Sequence, residues 1–360
     1  MSRMVRGGIA SAVVLAAVLA LWLWTRGSSP PPGGNQVPSG AAGQLILNYS
    51  VWGSPRAFTA GIEYAAREIS TISQGQVELK IHYGSALSPE KENLDAIKVG
   101  AVDGAHICFS YFPNKVPLAG VLELAFLLTD DMRVNARVAD AVIRHPHVEK
   151  DLAENWNAKY LMLVVLPNFE FMSNRRITGL KDFQGLRVRV LGGYPLVFQA
   201  AGSVPVMVTA PETYTAMERG TMDAVALPWT DSFGSYRMYE VAKYATEGAR
   251  LPPPTCFSGI SLKAWEALPE RVKAGLPRIQ EEGMQAYFRA YEEADQKWLP
   301  LFRQRLEIVP IQKAERDKLV KLAEPTWRKW AAEMDSRGLQ GTEILEFTKA
   351  QIAKFSAERR

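Results

Sequence analysis

Two arginines two positions apart, Arg187 and Arg189 in the run Leu186-Arg-Val-Arg-Val190, are the residues of this chain best suited to one specific chemistry. A guanidinium is planar and permanently charged, and its fork of N–H donors matches a carboxylate through two parallel hydrogen bonds. A short apolar strand (Leu186, Val188, Val190) carries both arginines, and Gly192-Gly193 ends it. A helix follows, then an alternating strand at 204–208, then a helix that opens at Pro211-Glu212 and stops at Gly220. In open α/β units of this kind ligands meet the carboxyl ends of the strands, which is where Arg189 falls. Spacing alone does not choose between the two arginines, because residues two apart share a face of a strand.

Catalytic constellations are weak. The four histidines are His82, His106, His145 and His147. His145-Pro-His147 has the look of a chelating pair, but no acidic or cysteine cluster completes a metal shell, and an exposed helix junction is expected there. No nucleotide-binding or serine-hydrolase motif is present. Cys108 and Cys256 lie in apolar strand-like runs (HICFSYF and TCFSGI), which reads as two buried thiols.

The elements that must position Arg189 follow from length and pattern. The 360 residues are 47% hydrophobic and 22% charged, which suits a globular protein of two ordinary domains. Arg3 and Arg6 precede an apolar run at 9–24, the layout of a secretory signal. As a helix that run reaches only about 24 Å, short of the ~30 Å bilayer core, yet the cleavage pattern near Trp22 and Trp24 is poor. Residues 1–26 are therefore expected to be a signal peptide or a membrane anchor, touching the membrane during export or as an anchor. Residues 27–43 carry four prolines, five glycines and no charge, and read as a flexible linker. Removing residues 1–43 takes away Arg3, Arg6 and Arg26 and leaves 39 basic against 38 acidic residues. No basic stripe remains to attract nucleic acid.

After the linker, strands at 44–52, 76–83 and 101–109 alternate with helices opening at Ser54-Pro55 and at Pro89. That β/α rhythm predicts a mostly parallel sheet covered by helices. Helices at 132–144 and 148–157, a strand at 160–166 and a second β/α series from Phe169 continue it. Beyond Pro277 long helices are expected at 278–298, 313–337 and 342–357.

The stretch from Asp182 to Asp223 resembles the substrate-binding proteins of tripartite ATP-independent periplasmic (TRAP) transporters. Their pattern there is D-L-x-G-x-K-x-R-V, then P-x-x-x-x-E-x-Y-x-A-L-x-x-G-x-x-D. Here it stands as Asp182-Phe183, Gly185, Arg187, Arg189-Val190, then Pro205 and Glu212, Tyr214, Ala216-Met217, Gly220 and Asp223. The resemblance implies the type II periplasmic binding protein-like fold, two α/β lobes with a ligand cleft between them and a long lobe-spanning helix. It implies lobe I at 44–167 and 254–295, lobe II at 168–253, and C-terminal helices at 296–360 packing across both. Pro167 and Pro252–Pro254 would lie near the two crossings between lobes. The same topology would bring the strands of Cys108 and Cys256 near one another, which leaves a bridge open.

The resemblance also chooses Arg189 as the ligand-binding arginine, with Arg187 in the solvated position of the usual lysine. Two departures matter. Where many relatives carry a second arginine, in G-F-R-x-x-T/S-N, this chain has Glu170. Glu170 would suit a ligand hydroxyl or amine, or pair with a basic residue. Where relatives carry Glu-Asn-Pro or Glu-Trp, it has Ala226-Leu227-Pro228-Trp229. Losing those oxygen ligands argues against a bound Na⁺ or Ca²⁺, so neither metal nor cofactor is expected. Glu212, Trp229 and Asp231 join the expected ligand wall, and Trp52, Phe109 and Tyr111 would face them from lobe I, following predicted strands. These changes leave Arg189 as the one fixed cation expected in the pocket.

The expected function is a periplasmic solute receptor that is not an enzyme. It would bind a small organic acid, a monocarboxylate with an apolar, aromatic or amine-bearing part, and deliver it to TRAP membrane permease subunits. A sensory protein of the same fold, feeding a receptor, and a periplasmic enzyme are the alternatives.

Overall fold

The computed structural model describes residues 43–358, and the expected signal or anchor at 1–26 and nearly all of the linker lie outside them. Among the described residues, eleven strands form two sheets. The first contains β1 (Leu45–Ser50), β2 (Val77–His82), β3 (Gly104–Cys108), β4 (Ala158–Val164) and β10 (Cys256–Ser261), in the order β2-β1-β3-β10-β4. The second contains β5 (Phe169–Ser173), β6 (Arg187–Arg189), β7 (Val204–Val206), β8 (Ala224–Pro228), β9 (Tyr244–Glu247) and β11 (Glu307–Pro310), in the order β11-β9-β5-β8-β6-β7. Each sheet is the heart of one lobe.

The parallel expectation holds for β1, β2 and β3 and for β6, β7 and β8. It fails at β10, which runs antiparallel to both β3 and β4, and at β5, antiparallel to β8 and β9. The cause is connectivity. These strands stand where the chain passes from one lobe to the other and back, and a strand entering from the other lobe needs no crossover helix. Pro167 lies in the first crossing and Pro252–Pro254 in the second. The two crossings are joined by Phe169 and Leu251, which exchange backbone hydrogen bonds of 2.8 and 3.0 Å.

The long helix runs from Glu270 to Arg305, earlier than the sequence pattern suggested, and passes through Pro277 and Pro300. An interior proline costs a helix about 3 kcal/mol. Here a buried stripe of Val272, Leu276, Ile279, Tyr287 and Tyr291 outweighs it. The packing is close enough that a Cβ built on Gly61, in the helix Ala60–Ile72, would fall 2.0 Å from the Tyr287 ring. The four-residue edge strand β11 follows, in the stretch read as helices only. The helices Lys313–Ser336 and Gly341–Ala357 complete the chain. His145 caps the helix Pro146–Trp156, with Pro146 in its first turn. It is not exposed, for its ring packs 4.8 Å from Phe347.

Candidate functional site

The two arginines of β6 have opposite environments, although they share a face. Arg187 is partly exposed and pairs with Asp223, Nη2 to Oδ1 at 2.6 Å and Nε to Oδ2 at 3.0 Å, and Nη1 donates to the Gly220 carbonyl at 2.6 Å. Two motif positions, Gly220 and Asp223, are thus explained by Arg187. Arg189 is 1% exposed. Its neighbours in register are Val206 of β7 and Val225 of β8. Its Nε donates to the Val208 carbonyl at 3.1 Å and its Nη1 to the Ala226 carbonyl at 2.9 Å. Nη2 is buried with no hydrogen-bond partner. Burial draws the group below its ordinary pKa, against the neighbouring Tyr111 and Tyr236 hydroxyls, but a guanidinium stays charged. A buried cation with one N–H group unspent is costly unless an anion meets it.

Arg189 borders a small cavity of about 40 Å³. The second lobe adds Phe169, Leu191, Ala210, Leu227 and Ser232, and the crossings add Leu166 and Pro254. The first lobe adds Trp52, Arg56, Phe58, Ser110, Tyr111 and both cysteines. A larger hollow, of about 730 Å³, is an open trough beside Lys98, Trp156 and Arg337, away from Arg189.

The lobes touch across the cleft. The Ala210 amide donates to the Tyr111 hydroxyl at 3.2 Å, and Arg56 Nη2 donates to the Tyr236 hydroxyl at 3.2 Å. The Ala57 amide donates to Asp231 Oδ1 at 3.2 Å, and Arg56 Nε lies 3.6 Å from Asp231 Oδ2.

The residues singled out from sequence separate accordingly. Trp52 and Tyr111 join Arg189 at the cavity and pack edge to face at 5.9 Å. Phe109 lies behind it, 5.1 Å from Phe257. Glu170 pairs with no basic side chain among the described residues. Its buried carboxylate accepts from the Thr246 hydroxyl at 2.7 Å and from the amides of Gly248, Ala249 and Arg250 at 2.9, 3.1 and 3.0 Å. It thereby satisfies the backbone of the second crossing. Burial raises its pKa and those four hydrogen bonds oppose the rise. Glu212 caps its own turn, accepting from the Thr209 amide and hydroxyl, which lower its pKa. Trp229 packs in the second lobe's core, 5.8 Å from Phe233 and 5.6 Å from Phe302. Asp231, 2% exposed, faces Arg56, and burial raises its pKa against the pull of that cation.

Two expectations are corrected. Cys108 and Cys256 are joined by a disulfide and are not free thiols. They stand directly opposite one another on the antiparallel strands β3 and β10, a pairing created when β10 returns from the other lobe. Arg189 is also not the one cation at the cavity, since Arg56 shares it. The signal for Arg56 was in the sequence, because it stands four residues after Trp52, just past the carboxyl end of β1. Among the described residues no cluster of three or more His, Cys, Asp or Glu side chains is placed to hold a metal ion.

The sequence profile of the family described as "Bacterial extracellular solute-binding protein, family 7" matches residues 50–334. The chain is 24% identical over 296 residues to a protein of Comamonas testosteroni named "Outer membrane transporter protein TsaT", covering 80% of this chain and 85% of that one. Among solved structures, a TRAP periplasmic solute-binding protein from Desulfovibrio salexigens with bound orotic acid superposes with a TM-score of 0.77 at 21% identity. That match covers 87% of this chain and 100% of that one. A second, from Bordetella bronchiseptica with bound (R)- and (S)-mandelate, gives 0.74 at 22% identity over 86% and 99% of the two chains. At such identities these likenesses establish a shared fold.

Proposed function

This chain belongs to the bacterial extracellular solute-binding protein family 7, and from that membership we propose that it is a periplasmic receptor for a small monocarboxylate, which it hands to TRAP permease subunits. The observation that carries the reading is the unspent Nη2 of Arg189, buried at the wall of an otherwise largely apolar cavity. A ligand carboxylate completes that guanidinium. Trp52, Phe58, Tyr111 and Leu227 then cover the ligand's less polar body. Both structures named above hold acids of this kind, orotic acid and mandelate, each one carboxylate on a ring-bearing body.

Magnitudes place most of the affinity outside the ion pair. A charge-assisted bidentate pair contributes about 1.5–3 kcal/mol, whereas micromolar binding needs roughly 8 kcal/mol. Apolar burial on closure must supply the remainder, about 25 cal/mol for each Å² covered. That balance favours an aromatic or branched acid over a small, highly charged one.

Titration calorimetry of the protein against a panel of mono- and dicarboxylates tests the reading. Saturable binding of monocarboxylates, lost in Arg189→Ala and unaffected by a chelator, is the expected result. A variant that binds as tightly as the parent protein removes Arg189 from the site.

A further inference from the structure

Arg189 Nη2 is not the only buried polar atom at this cavity without a partner. The Ser110 hydroxyl, on a residue 5% exposed, has none, and Arg56 Nε, on a side chain 5% exposed, makes no hydrogen bond and lies 3.6 Å from Asp231 Oδ2. Both residues come from the first lobe and border the same cavity. Native proteins rarely leave such groups unsatisfied, so each one calls for an explanation. We propose that the cavity reads a second, uncharged oxygen of its ligand, a hydroxyl or carbonyl, through Arg56 and Ser110. This inference rests on the receptor reading above and narrows its substrate class to hydroxy- or oxo-substituted monocarboxylates.

Arg56 is held as a reading group should be. Its Nη1 donates to the Trp52 and Ser54 carbonyls at 3.2 and 3.0 Å, and its Nη2 to the Tyr236 hydroxyl. Its guanidinium carbon lies 4.6 Å from the Phe58 ring centre and 5.3 Å from that of Tyr236. Three hydrogen bonds and two rings fix its plane before any ligand arrives, so little conformational freedom remains to be lost on binding.

The charge of the second group follows from Asp231. Arg56 already has a buried counter-ion at 3.6 Å, whereas Arg189 has no carboxylate among its hydrogen-bond partners. One ligand carboxylate neutralises Arg189. A second would enter a cavity whose remaining cation is spoken for, and a buried unpaired anion costs several kcal/mol. A hydroxyl carries no such cost and can accept from Arg56 or exchange a hydrogen bond with Ser110. A site built to bond an oxygen rejects the analogue lacking it, because its own polar groups are then left unpaired.

Calorimetry on the whole protein with matched probes tests this: benzoate, its three monohydroxy derivatives and isophthalate, and butyrate, 3-hydroxybutyrate and glutarate. In one series or the other a hydroxy acid should bind about tenfold or more tighter than its parent, with the dicarboxylate weaker than both. Ser110→Ala removes one oxygen from a small side chain and should cut that ratio to roughly threefold or less, and Arg56→Met should do the same. Equal binding of parent and hydroxy acid, a tightest-binding dicarboxylate, or a preference that survives both substitutions overturns the inference while leaving the receptor reading intact. Failure of every acid in both series overturns both.

Discussion

Arg56 of the first lobe and Asp231 of the second face each other across the cleft, buried, with Nε and Oδ2 3.6 Å apart. The Ala57 amide reinforces the contact by donating to the other Asp231 oxygen. Removing one partner of a buried pair typically costs 3–5 kcal/mol, because the other charge is stranded. In a two-lobed protein part of that cost is relieved by opening, which returns Arg56 to water.

Asp231→Asn should therefore weaken ligand binding by at least about tenfold, measured with an acid lacking a second polar group so that only closure is read. Its effect on the melting temperature should be small by comparison. The charge-balanced double variant Arg56→Met/Asp231→Asn should recover part of the loss. Unchanged affinity in Asp231→Asn would show that the pair does not hold the cleft shut.

Arg189 should trade stability for binding. Its guanidinium is buried with one N–H group unsatisfied, so Arg189→Met should lose at least about thirtyfold in affinity without lowering the melting temperature of the ligand-free protein. Arg189→Lys keeps the charge but not the fork, and should recover only part of the affinity. A large fall in melting temperature in Arg189→Met would assign the side chain a structural role instead.

The disulfide closes a loop between positions 148 apart and ties β3, whose continuation carries Ser110 and Tyr111, to the strand returning from the second crossing. Replacing both cysteines, Cys108→Ala with Cys256→Ala, should cost about 2–5 kcal/mol in urea unfolding. A loss below about 1 kcal/mol would mean that β3 and β10 hold their register without it.

Arg189 was legible because its signal is local. A cation at the end of a short apolar strand, inside a dense motif, needs no knowledge of distant residues. The β1, β2, β3 rhythm and the amphipathic C-terminal helices were legible for the same reason. What sequence hid depends on the chain's return. The pairing of Cys108 with Cys256 exists only once β10 inserts antiparallel between β3 and β4. Arg56 meets Asp231 only through the packing of one lobe against the other. The partners of Glu170 were hidden too, because its residue type suggests a ligand group, whereas it accepts from three backbone amides and a hydroxyl of a crossing that local pattern does not reveal. The strand Glu307–Pro310 is too short for periodicity to announce it.

Glu123 gives the protein a stability that should fall with rising pH. It is half-buried at the junction of the lobes, its carboxylate turned inward and accepting from the Thr255 amide of the second crossing at 2.7 Å, while its carbonyl accepts from the Gly193 amide of the second lobe at 2.8 Å. Burial raises its pKa to about 8, against that hydrogen bond, from an ordinary 4.5. Between those values the folded protein keeps a proton that the unfolded chain releases, so each pH unit upward costs as much as about 1.4 kcal/mol. His106 acts in the opposite sense. Buried beside Phe58, it is held down at about 3 from an ordinary 6.5, so the unfolded chain takes up the proton and stability rises with pH across that interval. The two effects oppose one another from about 4.5 to 6.5, and above 6.5 only that of Glu123, of the two, continues. Melting temperature should therefore decline from pH 6.5 to 8, and Glu123→Gln, which keeps an acceptor for Thr255, should flatten the decline. A wild-type profile that is flat or rising over that window would show that Glu123 is ionised in the folded protein.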